Sequence, residues 1–145
     1  MSAQQHRIYH QLQVTAHLLQ KLADRAVRDS GLSTAQLAVL AVVAAGPVSQ
    51  RTVAERLGLN ESGVTAMVRR LEELAVVTRA STDADRRQRL LVLTDEGRRR
   101  MAVGARAFAE VNALIDDTLG VQGVGRLAGS LERLQAELRR AESAR

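Results

Sequence analysis

Residues 50–67, QRTVAERLGLNESGVTAM, hold the spacing that decides the fold. Counted from Gln50, a small residue, Ala54, stands at the fifth position and a glycine, Gly58, at the ninth. Two apolar residues, Val64 and Met67, follow at the fifteenth and eighteenth positions. A small residue lets two helices touch, a glycine can take the positive φ of a tight turn, and the apolar pair holds the second helix in place. The spacing therefore predicts a helix-turn-helix.

The hydrophobic pattern predicts a separate buried helix ahead of this motif. Ser33 and Gln36 form a capping box at its start, and Leu32 and Leu37 are placed as its hydrophobic staple. Gly46–Pro47 ends it. Because this helix is apolar almost all round, we expect it to be buried in the middle of the fold.

The segments towards the two ends of the chain carry single apolar stripes. From about Gln5 to Arg28, apolar residues recur at spacings of three, four and seven, which indicates one face of a helix. Beyond Gly120, a last helix carries them at alternating spacings of three and four, a seam suited to packing against another helix. The stripes consist of Ile8, Leu12, Leu19, Leu22 and Ala26 in the first helix and of Val124, Leu127, Leu131, Leu134 and Leu138 in the last.

A β-hairpin is predicted directly after the helix-turn-helix. Ser49 caps the first helix of the motif, and the second helix runs from about Glu61 to Ala75. Two β-rich runs, VVTRA and RLLVLT, follow on either side of a charged stretch at 81–88, and Thr94 then caps a fifth helix. A helix-turn-helix followed by a hairpin is a winged helix. The predicted fold class is mainly α with a small β-hairpin wing.

The chain is predicted to form a single domain. Its 145 residues with 46% apolar and 26% charged content are typical of one globular unit. The winged helix-turn-helix lobe is expected at about 32–97, with flanking helices at about 1–30 and 98–145.

The outward face of the motif's second helix carries candidate DNA-binding residues. Hydroxyl groups bind phosphates or base edges, and arginine can read guanine in the major groove. An ordinary exposed face fits the same pattern, because Glu61, Glu72 and Glu73 repel phosphate, and Glu73 is placed to hold Arg69 back from a groove. The DNA-binding candidates are Ser62, Thr65, Arg69 and Arg70.

The tip of the hairpin carries a second set of candidates, Asp85, Arg86 and Arg87. An arginine-rich tip can enter the minor groove, where the negative potential attracts guanidinium groups. Asp85 would then orient a neighbouring arginine rather than touch DNA. The alternative is a solvated turn of mixed charge that keeps the hairpin soluble.

The amino-acid composition indicates which classes of partner the chain can bind. The formal net charge is +5, and all but one of the 21 basic residues are arginine, which suits a polyanion such as double-stranded DNA. The sequence has no cysteine, which excludes disulfides and thiolate sites and favours a reducing cytoplasm. The longest apolar run, Leu37 to Ala45, is far shorter than the roughly 20 residues of a membrane span, so we expect no membrane partner.

Residues 32–97 resemble the DNA-binding core of the multiple-antibiotic-resistance regulator (MarR) family, and the flanking helices also fit. The stretch DADRRQRLLVLTDEG, residues 83–97, is similar to the wing of that family. The resemblance implies that Asp85 is the orienting carboxylate and Arg87 the minor-groove arginine. It also implies a homodimer joined through the first and last helices, and a repressor released from its operator by a small organic ligand.

The chain departs from the family pattern at a few positions. Thr82–Asp83 stands in place of a frequent Asp-Pro, Ala75 in place of the glycine that usually ends the recognition helix, and Ala66 in place of a common arginine. The missing cysteines exclude the thiol mechanism of the family's hydroperoxide sensors.

The first helix carries a stripe of histidines and the candidate effector residues. His6, His10 and His17 share one face of the first helix, where two of them could bind a metal, but a solvated face is the more common explanation. We therefore assign no metal and no cofactor. Arg7 and His10 are candidates for contact with an effector.

Three alternative functions differ in what the surface should carry. A winged helix that serves as a protein-interaction module should expose an apolar patch in place of Ser, Thr and Arg. A constitutive DNA-binding regulator would lack an effector site. An enzyme is disfavoured because no nucleophile, base or phosphate-binding loop stands out.

Overall fold

The computed structural model describes residues 3–81 and 89–144, with side chains from Arg7 onward in the first range. The chain divides into two compact units, Met1–Phe108 and Ala109–Arg145. In chain order the elements are α1 (Ala3–Ala26), a 3-10 helix (Val27–Ser30), α2 (Thr34–Ala44), α3 (Gln50–Leu57), α4 (Glu61–Glu73), β1 (Val77–Ser81), β2 (Arg89–Leu93) and α5 (Asp95–Ser143). Within α5, the helix is broken at Gly120, which has φ 68° and ψ 165°. The predicted mainly helical winged fold is confirmed.

The predicted helix signals are confirmed at most helix ends. Ser33 and Gln36 form the capping box of α2 through bonds of 2.9 and 3.1 Å. Ser49 accepts a hydrogen bond from the backbone of Thr52 and begins α3, and Gly58 ends it with φ 64°. The first predicted helix, expected to reach Arg28, is α-helical only to Ala26 and continues as the 3-10 helix.

Most of the buried residues come from α2, α3, α4 and the hairpin, and the 3-10 helix and α5 add Val27 and Ala107. α2 packs on α3 and β2, and α4 packs on α3 and β1. The fully buried side chains include Val39, Leu40, Val53, Val64, Val68, Leu71, Val76 and Leu91. The strands of the wing therefore pack in the same hydrophobic core as the helix-turn-helix.

The prediction that α2 is buried in the middle holds for one side of the helix and is wrong for the other. Leu37, Leu40 and Val43 lie in the core, whereas Ala35 and Ala41 are exposed. Larger side chains gain more from burial than alanine, so the branched residues determine which face turns inward.

The hairpin is antiparallel, with Val77 opposite Leu93 and Ser81 opposite Arg89. Val48, just before α3, adds an isolated bridge to Leu91, with N–H···O distances of 3.2 and 2.7 Å. The sequence did not indicate this third segment. It ties the start of the helix-turn-helix to the wing.

The junction between α4 and the hairpin corrects the prediction that the fourth helix reaches Ala75. The helix ends at Glu73, and Ala75 has φ 57°, in the left-handed region that favours glycine. Thr94 donates a hydrogen bond of 2.6 Å from its hydroxyl to the carbonyl of Ala75. Close by, a Cβ on Gly97 would lie 2.1 Å from the carbonyl oxygen of Val76, so only glycine fits at this crossing. The surrounding contacts hold Ala75 in its unfavourable conformation.

We expect Ala75→Gly to raise the free energy of unfolding by about 1 kcal/mol, because it removes the steric cost of a positive φ in an alanine. Ala66→Gly is the matched control, since Ala66 is exposed within α4 and glycine in a helix interior costs about 1 kcal/mol. Urea unfolding followed by circular dichroism measures both. A loss of stability in both variants would contradict the strain at Ala75.

Candidate nucleic-acid interface

The turn between α3 and α4 sets where α4 begins. The side chain of Asn60 accepts hydrogen bonds from the backbone N–H of Gly63 at 2.8 Å and from the hydroxyl of Ser62 at 3.0 Å. Asn60 was not singled out from the sequence, although an asparagine directly before a helical run is a common cap. The hydroxyl of Ser62, a predicted DNA-binding group, is therefore oriented by the cap of its own helix.

α4 separates cleanly into a buried and an exposed face. Val64, Val68 and Leu71 are fully buried. The four DNA-binding candidates, Ser62, Thr65, Arg69 and Arg70, are all exposed, and so are Ala66 and Glu73. The helix thus presents a polar surface with hydroxyl and guanidinium groups, and without a large apolar side chain.

Thr65 is held by contacts from two directions. Its hydroxyl donates a hydrogen bond of 2.8 Å to the backbone carbonyl of Glu61. The same hydroxyl accepts one of 2.6 Å from the side-chain nitrogen Nε2 of Gln50 in α3. The side-chain amide oxygen of Gln50, Oε1, in turn accepts a 3.0 Å hydrogen bond from Arg79 of β1. Sequence reasoning missed Gln50 and Arg79, because the residues lie far apart in the chain and only the packing of α4 against both α3 and β1 brings them together.

The charges on α4 are paired differently from the prediction. Glu73 forms an exposed ion pair with Arg70 at 3.2 Å, not with Arg69. Glu72 pairs with Arg79 at 2.8 Å, in a contact whose side chains are about one-third exposed. Among the residues that the structure describes, Arg69 forms no ion pair. Of the three glutamates that were expected to repel phosphate, Glu72 and Glu73 are therefore paired with arginines, whereas Glu61 forms no ion pair within the described part of the chain.

The wing is described only at its two strands. Arg79 lies in β1 and Arg89 begins β2, where it is exposed. The tip candidates Asp85, Arg86 and Arg87 lie outside the described residues, so their roles stay predictions.

Three consecutive arginines at the start of α5 are engaged by carboxylates of the same turn. Arg98 pairs with Asp95 at 2.7 Å, and Arg99 and Arg100 both pair with Glu96. The hydrogen bond from Arg98 lowers the pKa of Asp95, and that from Arg100 lowers the pKa of Glu96. Acids in the first turn are also favoured by the helix dipole. These ion pairs stabilise the first turn of α5.

A cavity of about 380 Å³ lies between the end of α2, β2 and the first turns of α5. Its lining is mostly apolar, with Val43, Pro47, Leu93 and Met101 among the walls and Arg98 as its charged residue. Sequence reasoning did not identify these lining residues, because they come from three separate segments.

The predicted effector residues lie elsewhere. Arg7 and His10 are exposed on α1, and His10 lies beside a shallow hollow formed by neighbouring residues of the same helix. His17 is also exposed, and the side chain of His6 is outside the described residues. Within 7–81 and 89–144 no three metal-binding side chains cluster.

The described helices include none with the length and hydrophobicity that a membrane crossing requires.

Known proteins match both the sequence and the fold. A family model described as "MarR family" matches residues 30–88. The uncharacterized HTH-type transcriptional regulator YwoH of Bacillus subtilis (strain 168) is 32% identical over 101 residues, which cover 69% of this chain and 73% of that protein.

Among solved structures, the transcriptional repressor CouR bound to a 23-mer DNA duplex is similar with a TM-score of 0.79 and 26% identity, covering 86% of this chain and 89% of that one. CouR of Rhodococcus jostii RHA1 bound to p-coumaroyl-CoA is similar with a TM-score of 0.80 and 24% identity, covering 92% of this chain and 95% of that one.

Proposed function

The chain belongs to the MarR family of transcriptional regulators, and from this membership and the exposed face of α4 we propose that it represses transcription as a homodimer on a palindromic operator. The observation that carries the proposal is the polar surface of α4, where Thr65 and Arg69 face outward from a buried apolar face. In this arrangement α4 of each protomer enters a major groove, and the wing braces against the adjacent minor groove.

Two features favour DNA over a protein partner at this surface. The exposed residues of α4 are hydroxyl, small and charged, whereas a protein-docking face would carry apolar anchors. Glu72 and Glu73 are each paired with an arginine, which lowers their repulsion towards phosphate. The proposal assigns no catalytic step to the chain and places it in the cytoplasm, where the DNA of its bacterial relatives lies.

Dimerisation is supported by the apolar side chains that each end helix leaves exposed. On α1, the stripe residues Ile8 and Leu12 are 54% and 39% exposed. After Gly120, Leu127, Leu134 and Leu138 are also exposed along the predicted seam. Apolar rows of this kind are usually covered by a partner helix. Two linked recognition helices are what half-sites one DNA turn apart require.

We propose that an organic carboxylate with an apolar body enters the cavity beside Arg98 and lowers DNA affinity. The apolar walls suit the body of the ligand, and Arg98 offers a bidentate partner for its carboxylate once Asp95 is displaced. CouR, which binds both DNA and p-coumaroyl-CoA, shows that this fold can hold the two kinds of partner. The cavity fits this role better than Arg7 and His10, which lie on the open surface of α1.

For the dimer, we expect Ile8→Glu/Leu12→Glu to shift the protein to monomer at micromolar concentration, because charge at two stripe positions opposes burial. Tight binding to a palindromic duplex should be lost with it. Gln13→Glu, on the opposite side of α1, is the control that stays dimeric. Sedimentation velocity and a duplex titration measure the two effects. A stable wild-type monomer that binds the palindrome tightly would disprove the assembly.

For DNA binding, Arg87→Ala should weaken operator and scrambled duplex alike and make the salt dependence shallower by about one unit of slope, because a minor-groove arginine acts mainly through charge. Arg69→Ala should cost roughly 1 to 3 kcal/mol chiefly on the operator, because a base contact discriminates.

Fluorescence titrations at several salt concentrations compare both variants, with Arg106→Ala on α5 as the control arginine and circular dichroism as the folding check. If folded Arg87→Ala binds both duplexes like wild type with an unchanged slope, the tip is only a solvated turn.

For the effector, benzoate, cinnamate and decanoate should release the operator duplex more strongly than their uncharged amides, because only the carboxylate can pair with Arg98. Ala102→Phe, which fills the cavity wall, should bind DNA normally and lose the response. Fluorescence polarisation of the labelled duplex gives both results. Equal release by acid and amide would rule out a charge contact at Arg98.

A further inference from the structure

We propose that Arg79 of the wing strand is a positioning residue that, through Gln50, sets the base preference of Thr65 on α4. The proposal rests on the proposed DNA-binding function. It adds a residue that does not itself touch DNA and connects the wing to the recognition helix.

The contacts form a continuous chain across α4, α3 and β1. The guanidinium of Arg79 donates through Nε to Glu72 at 2.8 Å and through Nη2 to the amide oxygen of Gln50 at 3.0 Å. The amide nitrogen of Gln50 donates to the hydroxyl of Thr65 at 2.6 Å. Arg79 and Glu72 are only 29% and 33% exposed, so this pair is more shielded from solvent than the fully surface-lying pair Arg51–Glu55.

Arg79 decides which end of the Gln50 amide faces Thr65. An amide has an acceptor end and a donor end, and a guanidinium can only donate. The oxygen of Gln50 therefore turns to Arg79, which leaves the nitrogen to donate to Thr65. Without Arg79, both orientations of the amide become available.

The orientation determines what Thr65 can offer to a base. A threonine hydroxyl has one hydrogen to donate and two lone pairs to accept. Its hydrogen is used by the carbonyl of Glu61 and one lone pair by Gln50. The remaining lone pair can only accept, which suits the amino group of adenine or cytosine and not guanine, whose major-groove edge carries acceptors alone.

Arg79 also neutralises Glu72, so the two effects must be separated by the choice of variant. Lysine at this position keeps a charge near Glu72 but lacks the planar fork that reaches two partners in fixed directions. Gln50→Met leaves the Arg79–Glu72 pair in place and removes only the amide. Both variants should therefore disturb Thr65 while the charge near the surface is retained.

The experiment selects binding sites from a random duplex pool with the full-length wild type, Arg79→Lys, Gln50→Met and Thr65→Val. Arg51→Lys, in an exposed pair on α3, is the control. We expect wild type to enrich a palindrome with adenine or cytosine at one position per half-site. Arg79→Lys and Gln50→Met should each lose about tenfold discrimination at that position and keep their affinity for random duplex.

Non-additivity separates positioning from a merely structural role. Because all three variants act through the same hydroxyl, Arg79→Lys/Thr65→Val should discriminate no worse than Thr65→Val alone, and thermal melting should be similar for all folded variants. Unchanged discrimination in Arg79→Lys and Gln50→Met, or losses that add in the double variant, would overturn the role of Arg79. Wild type that enriches no sequence would instead refute the proposed function itself.

Discussion

The burial of one face of α4 is the constraint on which the candidate interface depends. Val64, Val68 and Leu71 are completely removed from solvent, and burying side chains of this size contributes roughly 1.5 to 3 kcal/mol each. With 3.6 residues per turn, fixing this face fixes the direction of every other side chain on the helix. Thr65 and Arg69 therefore face outward because of contacts on the opposite side, and their own interactions with a ligand do not have to orient the helix.

The root of the wing is fixed by backbone contacts rather than by side-chain packing alone. The carbonyl of Val76 accepts from the backbone N–H of Thr94 at 3.1 Å, and Gly97 passes so close that it admits no Cβ. Val48 adds its two bonds to Leu91 on the other side of the hairpin. Together these contacts join the hairpin to both the start of α3 and the end of α4, so the strands and the helix-turn-helix form one body within the first unit.

Polar contacts at the interface have a different role from the core. The ion pairs on α3, α4 and α5 are mostly exposed, and exposed pairs add little to stability because water and salt screen them. Their effect is on the surface, where they pair Glu72 and Glu73 with arginines and orient the groups beside them. This division leaves the outward face of α4 available for recognition without a cost to the stability of the fold.

The sequence by itself determined the order of elements, the caps at Ser33, Ser49 and Thr94, the turn at Gly58 and the faces of α4. These features depend on local backbone preferences and on the helical period, which a single segment already contains. Tertiary structure alone decided the Thr65–Gln50–Arg79 chain, the pairing of Glu72 with Arg79 and the cavity beside Arg98. Each joins side chains by distances that depend on how helices and strands pack, and no local pattern encodes those distances. Ala75 shows the same division from the other side, because its sequence favours a longer helix, and the packing of the hairpin ends that helix at Glu73.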